Sequence, residues 1–359
     1  MTAGAAPVPV VVAGCGAVTR LYAAPALARL EAAGAVKVAG LFDPDPAAVA
    51  AVGGRFPGAR IAPDFAALVS LPASLAVIAS PPRFHAPQAT AALAAGLAVF
   101  VEKPMAPTAA EAAEMVAAAR RAGRLLVPGM VRRHLPAAKA LRSLIAGGAL
   151  GRIRRIDWFE GGPFDWPIAS PAWFTPGSGG GLLEDIGTHI FDLLAWWLGP
   201  LTVTACEDDA MGGAAANCRV VLSAGETRAT VRLSRDWARP NRVLVEGDGG
   251  SATWTIEEAD TLRVRLGPDA PPASLRVETG GHATFEGAYE AELDDAAAAV
   301  RDGRAAWVPP EAGLRAAEIV EAAAAVRAPM VLPWLSPDEA ARARALATGA
   351  GLQDGRPGR

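Results

Sequence analysis

The 359-residue chain is expected to fold as an α/β protein, with a doubly wound parallel sheet first and a second α/β part with a predominantly antiparallel, open sheet after it. Three observations predict this. The first 128 residues alternate short β-branched apolar runs with alanine-rich stretches, the pattern of parallel strands joined by crossover helices. That alternation breaks off after Gly129. From 201 to 277, short strands recur between turn signals such as Gly247-Asp248-Gly249-Gly250, as in an antiparallel meander.

In chain order, strands are expected at Val8 to Ala13, Val36 to Phe42, Leu75 to Ala79, Leu97 to Val101 and Leu125 to Val127. They are continuous apolar runs, as a sheet covered on both faces requires. Helices are expected near 19 to 33, 46 to 52, 85 to 95 and 108 to 122, where alanine favours the helix and lets it pack closely on the sheet. A helix near 135 to 146 and a strand near 152 to 160 follow. Next come a loop rich in Pro, Gly and Trp from Gly161 to Gly181, and a helix from Leu182 to Leu198 stopped by Gly199 and Pro200. Thr227, Ala229, Val231 and Leu233 alternate with Arg228, Thr230, Arg232 and Ser234, so this sheet should bury one face and leave the other for solvent or a subunit. Helices near 286 to 302 and 311 to 327 close the fold, Met330 to Leu332 is a candidate edge strand, and a terminal helix leads into a Gly-rich tail expected to be disordered.

Composition narrows the function classes. With 52% hydrophobic and 20% charged residues and a formal charge of -3, the chain reads as soluble and globular, not as a general nucleic-acid binder. Cys15, Cys206 and Cys218 are too scattered for a disulfide framework or a paired-thiol metal site, and no histidine cluster has metal-ligand spacing, so a reducing cytoplasm and no metal are expected. The uncharged start lacks a basic leader, and the uncharged run from Ala86 to Val101 falls short of the roughly 20 residues that span a bilayer, so no membrane segment is expected. The 34 basic residues include only three lysines, Lys37, Lys103 and Lys139. Where arginine serves as the default cation, a lysine marks a place for chemistry that arginine performs poorly.

Val8 to Ala13 runs into Gly14-Cys15-Gly16-Ala17-Val18-Thr19 and then a helix, the setting of a dinucleotide-binding turn. Gly14 and Gly16 would let the backbone approach a pyrophosphate, and the amides at Ala17 and Val18 would face its charge. The third small position holds Thr19, so the fingerprint is incomplete, and an ordinary strand-to-helix turn is the competing reading. Asp43 ends the second strand, where a carboxylate can bind the adenosine ribose and repel a 2'-phosphate; residues 44 to 54 contain no Arg or Lys. NAD is therefore expected over NADP.

Two further segments bear on chemistry: Glu102-Lys103-Pro104 after the fourth long strand, and Gly179-Gly180-Gly181-Leu182-Leu183-Glu184-Asp185-Ile186-Gly187-Thr188-His189 in the second part. With Ser80-Pro81-Pro82-Arg83-Phe84-His85, they resemble the glucose-fructose oxidoreductase / inositol dehydrogenase / rhizopine catabolism (Gfo/Idh/MocA) family over about Val8 to Pro333. Asp192 also matches the family pattern. The resemblance implies a Rossmann domain at 1 to 130, a substrate-binding and oligomerisation domain at 131 to 333, and a terminal segment at 334 to 359. It implies a nicotinamide cofactor contacted by Ser80, Pro81, His85, Glu102 and Lys103, catalytic roles for Lys103, Asp185 and His189, and a homodimer or homotetramer formed through the second sheet. For His85, capping of a loop by a helix-start histidine is a fair competitor.

The residues support such chemistry independently. Asp185 and His189 are four apart and would share one helix face. Histidine suits proton transfer near neutral pH, and a lysine ammonium suits an oxygen on which negative charge develops. The loop residues Phe164, Trp166, Trp173 and Phe174 offer rings for a sugar face, with loop packing or a subunit interface as the alternative. Met115 to Ile156 carries ten basic residues and no acidic one; Arg132 and Arg133 are the first candidates for an anionic substrate such as a nucleotide-linked sugar. His134 and His282 read as structural. The expected activity is hydride transfer between a nicotinamide and a secondary alcohol or ketone of a sugar, cyclitol or sugar derivative. Redox-neutral glycoside cleavage with tightly held NAD, and an NAD-dependent non-catalytic regulator, remain as alternatives.

Overall fold

The computed structural model describes all residues except 1 to 5, 168 to 180, 211, 212, 238, 268, 279 to 282, 332 to 334 and 348 to 359. The parallel part contains strands β1 (Val8–Ala13), β2 (Val36–Phe42), β3 (Arg60–Ile61), β4 (Leu75–Ile78), β5 (Ala98–Val101) and β6 (Leu126–Pro128) in the order β3-β2-β1-β4-β5-β6. Helices α1 (Ala24–Ala32), α2 (Pro46–Gly53), α3 (Phe65–Val69), α4 (His85–Ala94) and α5 (Ala109–Ala122) connect them. The strand reversal beside β1 opens a crevice at the carboxyl edge, where such sheets bind ligands. Alternate β1 residues point to opposite faces: Val10 and Val12 join the core with Leu27 and Leu30, while Val11 and Ala13 join that with Leu93 and Met115.

After α6 (Pro136–Ala146), the second sheet comprises β7 (Ile153–Gly161), β8 (Thr202–Asp208), β9 (Asn217–Ala224), β10 (Thr227–Ser234), β11 (Arg242–Gly247), β12 (Gly250–Thr255), β13 (Thr261–Leu266), β14 (Ala273–Arg276) and β15 (Arg327–Pro329). Its order is β14-β13-β12-β11-β7-β10-β9-β8-β15. Most neighbours are antiparallel, but β7 runs parallel to β10 and β15 parallel to β8. Helices α7 (Thr188–Leu198), α8 (Phe285–Asp302), α9 (Pro310–Ala325) and α10 (Pro337–Ala347) complete the described chain.

Three sequence expectations change. An edge strand forms at Arg327–Pro329, ahead of the expected Met330 to Leu332, of which Leu332 lies outside the described residues, because α9 already ends at Ala325 and the chain pairs with β8 at once. The short β3 and α3 were not foreseen: both β3 residues are exposed and two residues show no periodicity, while α3 is started by Asp64, whose carboxylate accepts from the Ala67 amide at 2.7 Å. On β10, Arg228 and Arg232 are exposed as alternation requires, but Thr230 and Ser234 are buried. The Ser234 hydroxyl is held in the turn by Asp236 and the Trp237 amide.

Helix α8, although late in the chain, packs against α1, β1 and β5, and α9 bridges α5 and α7. One continuous core consequently runs from Val10 and Phe100 through Leu293 to Phe191, Val231 and Trp254. This packing fixes the carboxyl edge of the first sheet against α7.

Candidate active site

The turn after β1 depends on two glycines in different ways. Gly14 has φ +93°, and a Cβ there would sit 2.5 Å from Ala79 C and Ser80 N, so only glycine fits between β1 and β4. At Gly16 a Cβ would meet nothing within 4 Å, leaving space that a ligand can enter. Thr19, the departure from the fingerprint, is fully buried, and its hydroxyl donates to the Gly14 carbonyl at 2.6 Å, closing the turn. Ala17 and Val18 open the helix, where the first amides lack intrahelical acceptors. One π-type turn, Thr19–Ala23, leads into α1. Asp43 accepts from the Cys15 amide at 2.8 Å and from the Asp45 amide at 2.9 Å, which holds its carboxylate beside the turn. Burial and Asp43 push the Cys15 thiol up to about 12, so it stays protonated. The open space at Gly16, the free amides and the fixed carboxylate fit a dinucleotide.

The loops after β4 and β5 are tied together by His85. Its Nδ1 lies 2.8 Å from the Pro104 carbonyl oxygen and its Nε2 2.7 Å from that of Ser80. The residue is buried, and in the neutral ring one of these nitrogens donates to its carbonyl, which ties the two loops together as a loop-capping histidine does. Burial lowers its pKa despite these carbonyls. The Ser80 hydroxyl donates to Gln88 Oε1 at 2.6 Å, and Pro81 precedes the turn that starts α4. Glu102 is buried: it accepts from the Lys103 amide at 3.1 Å and from the Tyr289 hydroxyl, and burial raises its pKa. It therefore acts beneath the site.

Lys103 Nζ donates to Asp185 Oδ1 at 2.5 Å and to the Asp185 carbonyl at 3.2 Å, joining the two parts of the chain. Asp185 lies in a second π-type turn, Leu183–Gly187, and His189 follows in the first turn of α7. The regular i, i+4 helical pair expected from sequence is thus modified: an i→i+5 turn carries the carboxylate, a feature frequent at functional sites. His189 is buried, and its Nδ1 has no hydrogen-bond partner. Burial, then the charges of Lys103 and Arg132, hold its pKa well below 6.5, so the imidazole is neutral.

Arg235, which the sequence reading missed, stands 3.4 Å from Asp185 Oδ2 and lies over the Phe164 ring at 4.9 Å. Its sequence signal is weak: an arginine just past an interior strand. Arg132 forks onto Glu160, one contact at 2.6 Å, and Trp158 Nε1 also donates to Glu160 at 3.3 Å. Arg133 binds Asp192 through Nε at 2.8 Å and Nη2 at 2.6 Å, both partners buried. Arg132 and Arg133, the first candidates for an anionic substrate, are thus each paired with an acidic residue, from β7 and α7 respectively.

Of the aromatic loop, Trp166 lies parallel to Tyr22 at 6.2 Å, which packs in turn on Phe285 and Tyr289. Trp173, Phe174 and His282 lie outside the described residues. His134 is buried, its pKa lowered to about 4 by burial and by Lys139. Cys206 and Cys218, distant in sequence, place their Sγ atoms 3.8 Å apart across β8 and β9. Among the described residues, no cluster of three or more His, Cys, Asp or Glu is arranged to hold a metal, and no helix is long and apolar enough to cross a membrane.

Comparison with known proteins agrees with this geometry. Residues 8–130 match the model of the GFO/IDH/MocA oxidoreductase family with its NAD-binding Rossmann fold, and residues 138–253 match the GFO/IDH/MocA C-terminal domain. The chain belongs to this family and is an NAD(P)-dependent oxidoreductase. It is 34% identical over 260 residues to a candidate UDP-kanosamine synthase oxidoreductase subunit of Amycolatopsis mediterranei (strain S699), covering 68% of this chain and 69% of that one. It is 28% identical over 251 residues to the rhizopine catabolism protein MocA of Rhizobium meliloti, covering 69% and 74%. Among solved structures, levoglucosan dehydrogenase in complex with NADH and levoglucosan shares the fold with a TM-score of 0.80 at 19% identity, over 89% of this chain and 97% of that one.

Proposed function

We propose that the protein transfers hydride between NAD and a secondary alcohol or ketone carbon of an uncharged sugar, cyclitol or sugar derivative. The observation that carries this is the junction of Lys103 with Asp185, beside a neutral His189, at the carboxyl edge of the dinucleotide fold. The nicotinamide, when bound, supplies the hydride acceptor or donor. Gly14, Gly16, Ala17, Val18 and Asp43 hold the dinucleotide. Lys103 donates a hydrogen bond to the reacting oxygen and stabilises the negative charge that grows there. His189, uncharged, accepts the hydroxyl proton during oxidation and returns it during reduction. Asp185 positions the Lys103 ammonium, and Arg235 fixes Asp185 from its other side. Asp43 favours NAD by repelling a 2'-phosphate. Support for an uncharged substrate comes from the pairing of Arg132 with Glu160 and of Arg133 with Asp192. Levoglucosan in the structural neighbour is of the same chemical kind. The proposal includes a homodimer or homotetramer formed through the exposed face of the second sheet.

Mixing purified protein and NAD with polyols, free sugars and nucleotide sugars tests the reading. NADH should form with an uncharged member of the panel and vanish in His189→Ala. NADH with nucleotide sugars alone would overturn the substrate class. Tight NAD binding with product formed but no net NADH would favour redox-neutral glycoside cleavage.

A further inference from the structure

Beyond the catalytic pair, toward the other end of α7, the chain forms a second polar hollow. A cavity of about 350 Å³ is lined by Arg133, Arg142, Trp196, Trp307, Pro309 and Arg315, among others. Its cations come from three segments: the turn before α6, α6 itself and α9. The Arg142 and Arg133 guanidinium groups lie 4.9 and 5.3 Å from the Trp196 ring centroid, and Lys139 Nζ stands 5.7 Å over the Trp307 ring. Trp196 and Trp307 meet edge to face at 6.0 Å.

The charges in this hollow are unbalanced. Arg133 is hydrogen-bonded to Asp192, which also feels the charge of Arg315; among the described residues Arg142 donates only to the Trp196 carbonyl, at 3.3 Å, and Arg315 has no hydrogen bond or close ion pair. Asp295, the other nearby carboxylate, is engaged by Arg304 at 2.8 Å and by the Trp307 amide at 2.6 Å. The pKa of nearby His134 is lowered chiefly by burial and by Lys139, against Asp295, which raises it, with Arg133 adding to the lowering.

We propose that this hollow is a binding site for a phosphomonoester of sugar-phosphate size, separate from the active site. Guanidinium forks match the paired oxygens of a phosphate, and two forks with no carboxylate in hydrogen-bond contact at one cavity suit a doubly charged anion. The volume exceeds what a bare phosphate fills and falls in the range of small-ligand sites. Arg142 and Arg133 already lie against Trp196, so phosphate recognition dominates over stacking of a flat base. Trp307, 46% exposed, provides an apolar wall for a sugar body. This site differs from the catalytic pocket in that its cations outnumber their carboxylate partners on the side that faces solvent.

The test is calorimetric titration of the full chain, saturated with NAD, with glucose 6-phosphate, with glucose as the unphosphorylated control. Saturable binding of the phosphate ester that depends on Arg142 and Arg315, and that glucose does not compete away, is expected. Arg142→Ala/Arg315→Ala should weaken it by at least about tenfold, the scale of losing one charge-assisted hydrogen bond, while Lys103→Ala leaves it intact. Both arginines are exposed, so the double variant should melt at the wild-type temperature; if it does not, Arg142→Gln/Arg315→Gln takes its place. No saturable binding of the phosphate ester, or binding lost in Lys103→Ala but kept in the arginine variant, would each overturn the proposal. Because the readout is the part of the binding that depends on these arginines, it is separate from any binding of glucose at the active site, which Lys103→Ala and the arginine variant report independently.

Discussion

In the turn after β1 the groups that meet a ligand are backbone atoms and empty space: the amides at Ala17 and Val18, and the volume left by Gly16. Around α7 they are long side chains, each held by an opposite charge from another segment. Lys103 is held by Asp185 82 residues away, and Arg235 reaches the same carboxylate over 50 residues. The two regions should therefore fail differently. The turn is sensitive to added volume, whereas the pocket is sensitive to lost charge.

The largest effect is expected from Lys103→Met, which keeps the chain's length and removes its ammonium. The kcat should fall by about 10² to 10³-fold, the cost of losing one donor aimed at a developing oxyanion, with NAD affinity nearly unchanged. A loss of NAD binding equal to the loss of rate would remove the distinction between the regions. The glycines provide the converse. Gly14→Ala places a Cβ 2.5 Å from Ala79 and Ser80 at φ +93°, so it should lower Tm and abolish NAD binding together. Gly16→Ala meets no protein atom and should leave Tm within about a degree while weakening NAD by roughly tenfold, about 1.4 kcal/mol. Equal melting losses in both variants would contradict the assignment of the open space to the cofactor.

A smaller and more specific effect concerns pH. Burial, with Lys103 and Arg132, holds His189 well below 6.5 in the folded chain. Its neutral form therefore persists as pH falls through 6.5, and the acid limb of kcat/KM for oxidation should lie below that value. An acid limb at or above 6.5 that disappears in His189→Ala would show that the charges around the imidazole do not control it. Arg132→Gln, which removes one of those charges, should move the limb upward.

The same contrast explains what was legible in the sequence. The parallel strands, their helices and the Gly14 turn could be read because each is set by residues close together in the chain: apolar runs, alanine stretches, a glycine that admits no Cβ. Asp185 and His189 could be placed on one helix face, and Lys103 grouped with them, but the direct contact of Lys103 with Asp185 could not be read, because it depends on the docking of α7 against the first sheet. Arg235 and the Glu102–Tyr289 contact carried no local pattern. The excess of positive charge between Met115 and Ile156 does not carry over into space: the counterions of Arg132 and Arg133 come from outside the segment, Glu160 at the end of β7 and Asp192 on α7. Charge balance within a segment says little about balance in space.

The weakest expected effect lies beneath both regions, on α8. Glu292 is 1% exposed, close to the Met130 backbone, with neither carboxyl oxygen in hydrogen-bond geometry with a partner. Burial, then Glu102, and less strongly Asp192 and Asp295, raise its pKa well above 4.5, against a small lowering by the Met130 backbone. The folded chain thus keeps a proton that the unfolded chain releases above about 4.3, so this contribution to stability is fully present below that pH and is lost as pH rises through the folded value. Gln, neutral at every pH and of nearly the same shape, does not have this dependence. The Tm difference between Glu292→Gln and the parent should therefore grow in favour of the variant from pH 5 to pH 8, by roughly 1–2 °C if the linkage amounts to about 1 kcal/mol. A difference that stays constant across that range would mean that Glu292 is ionised in the folded protein, with a compensating cation or bound water beside α8. In that case the support under Lys103 would resemble the charge-paired pocket more than the apolar packing under the glycine turn.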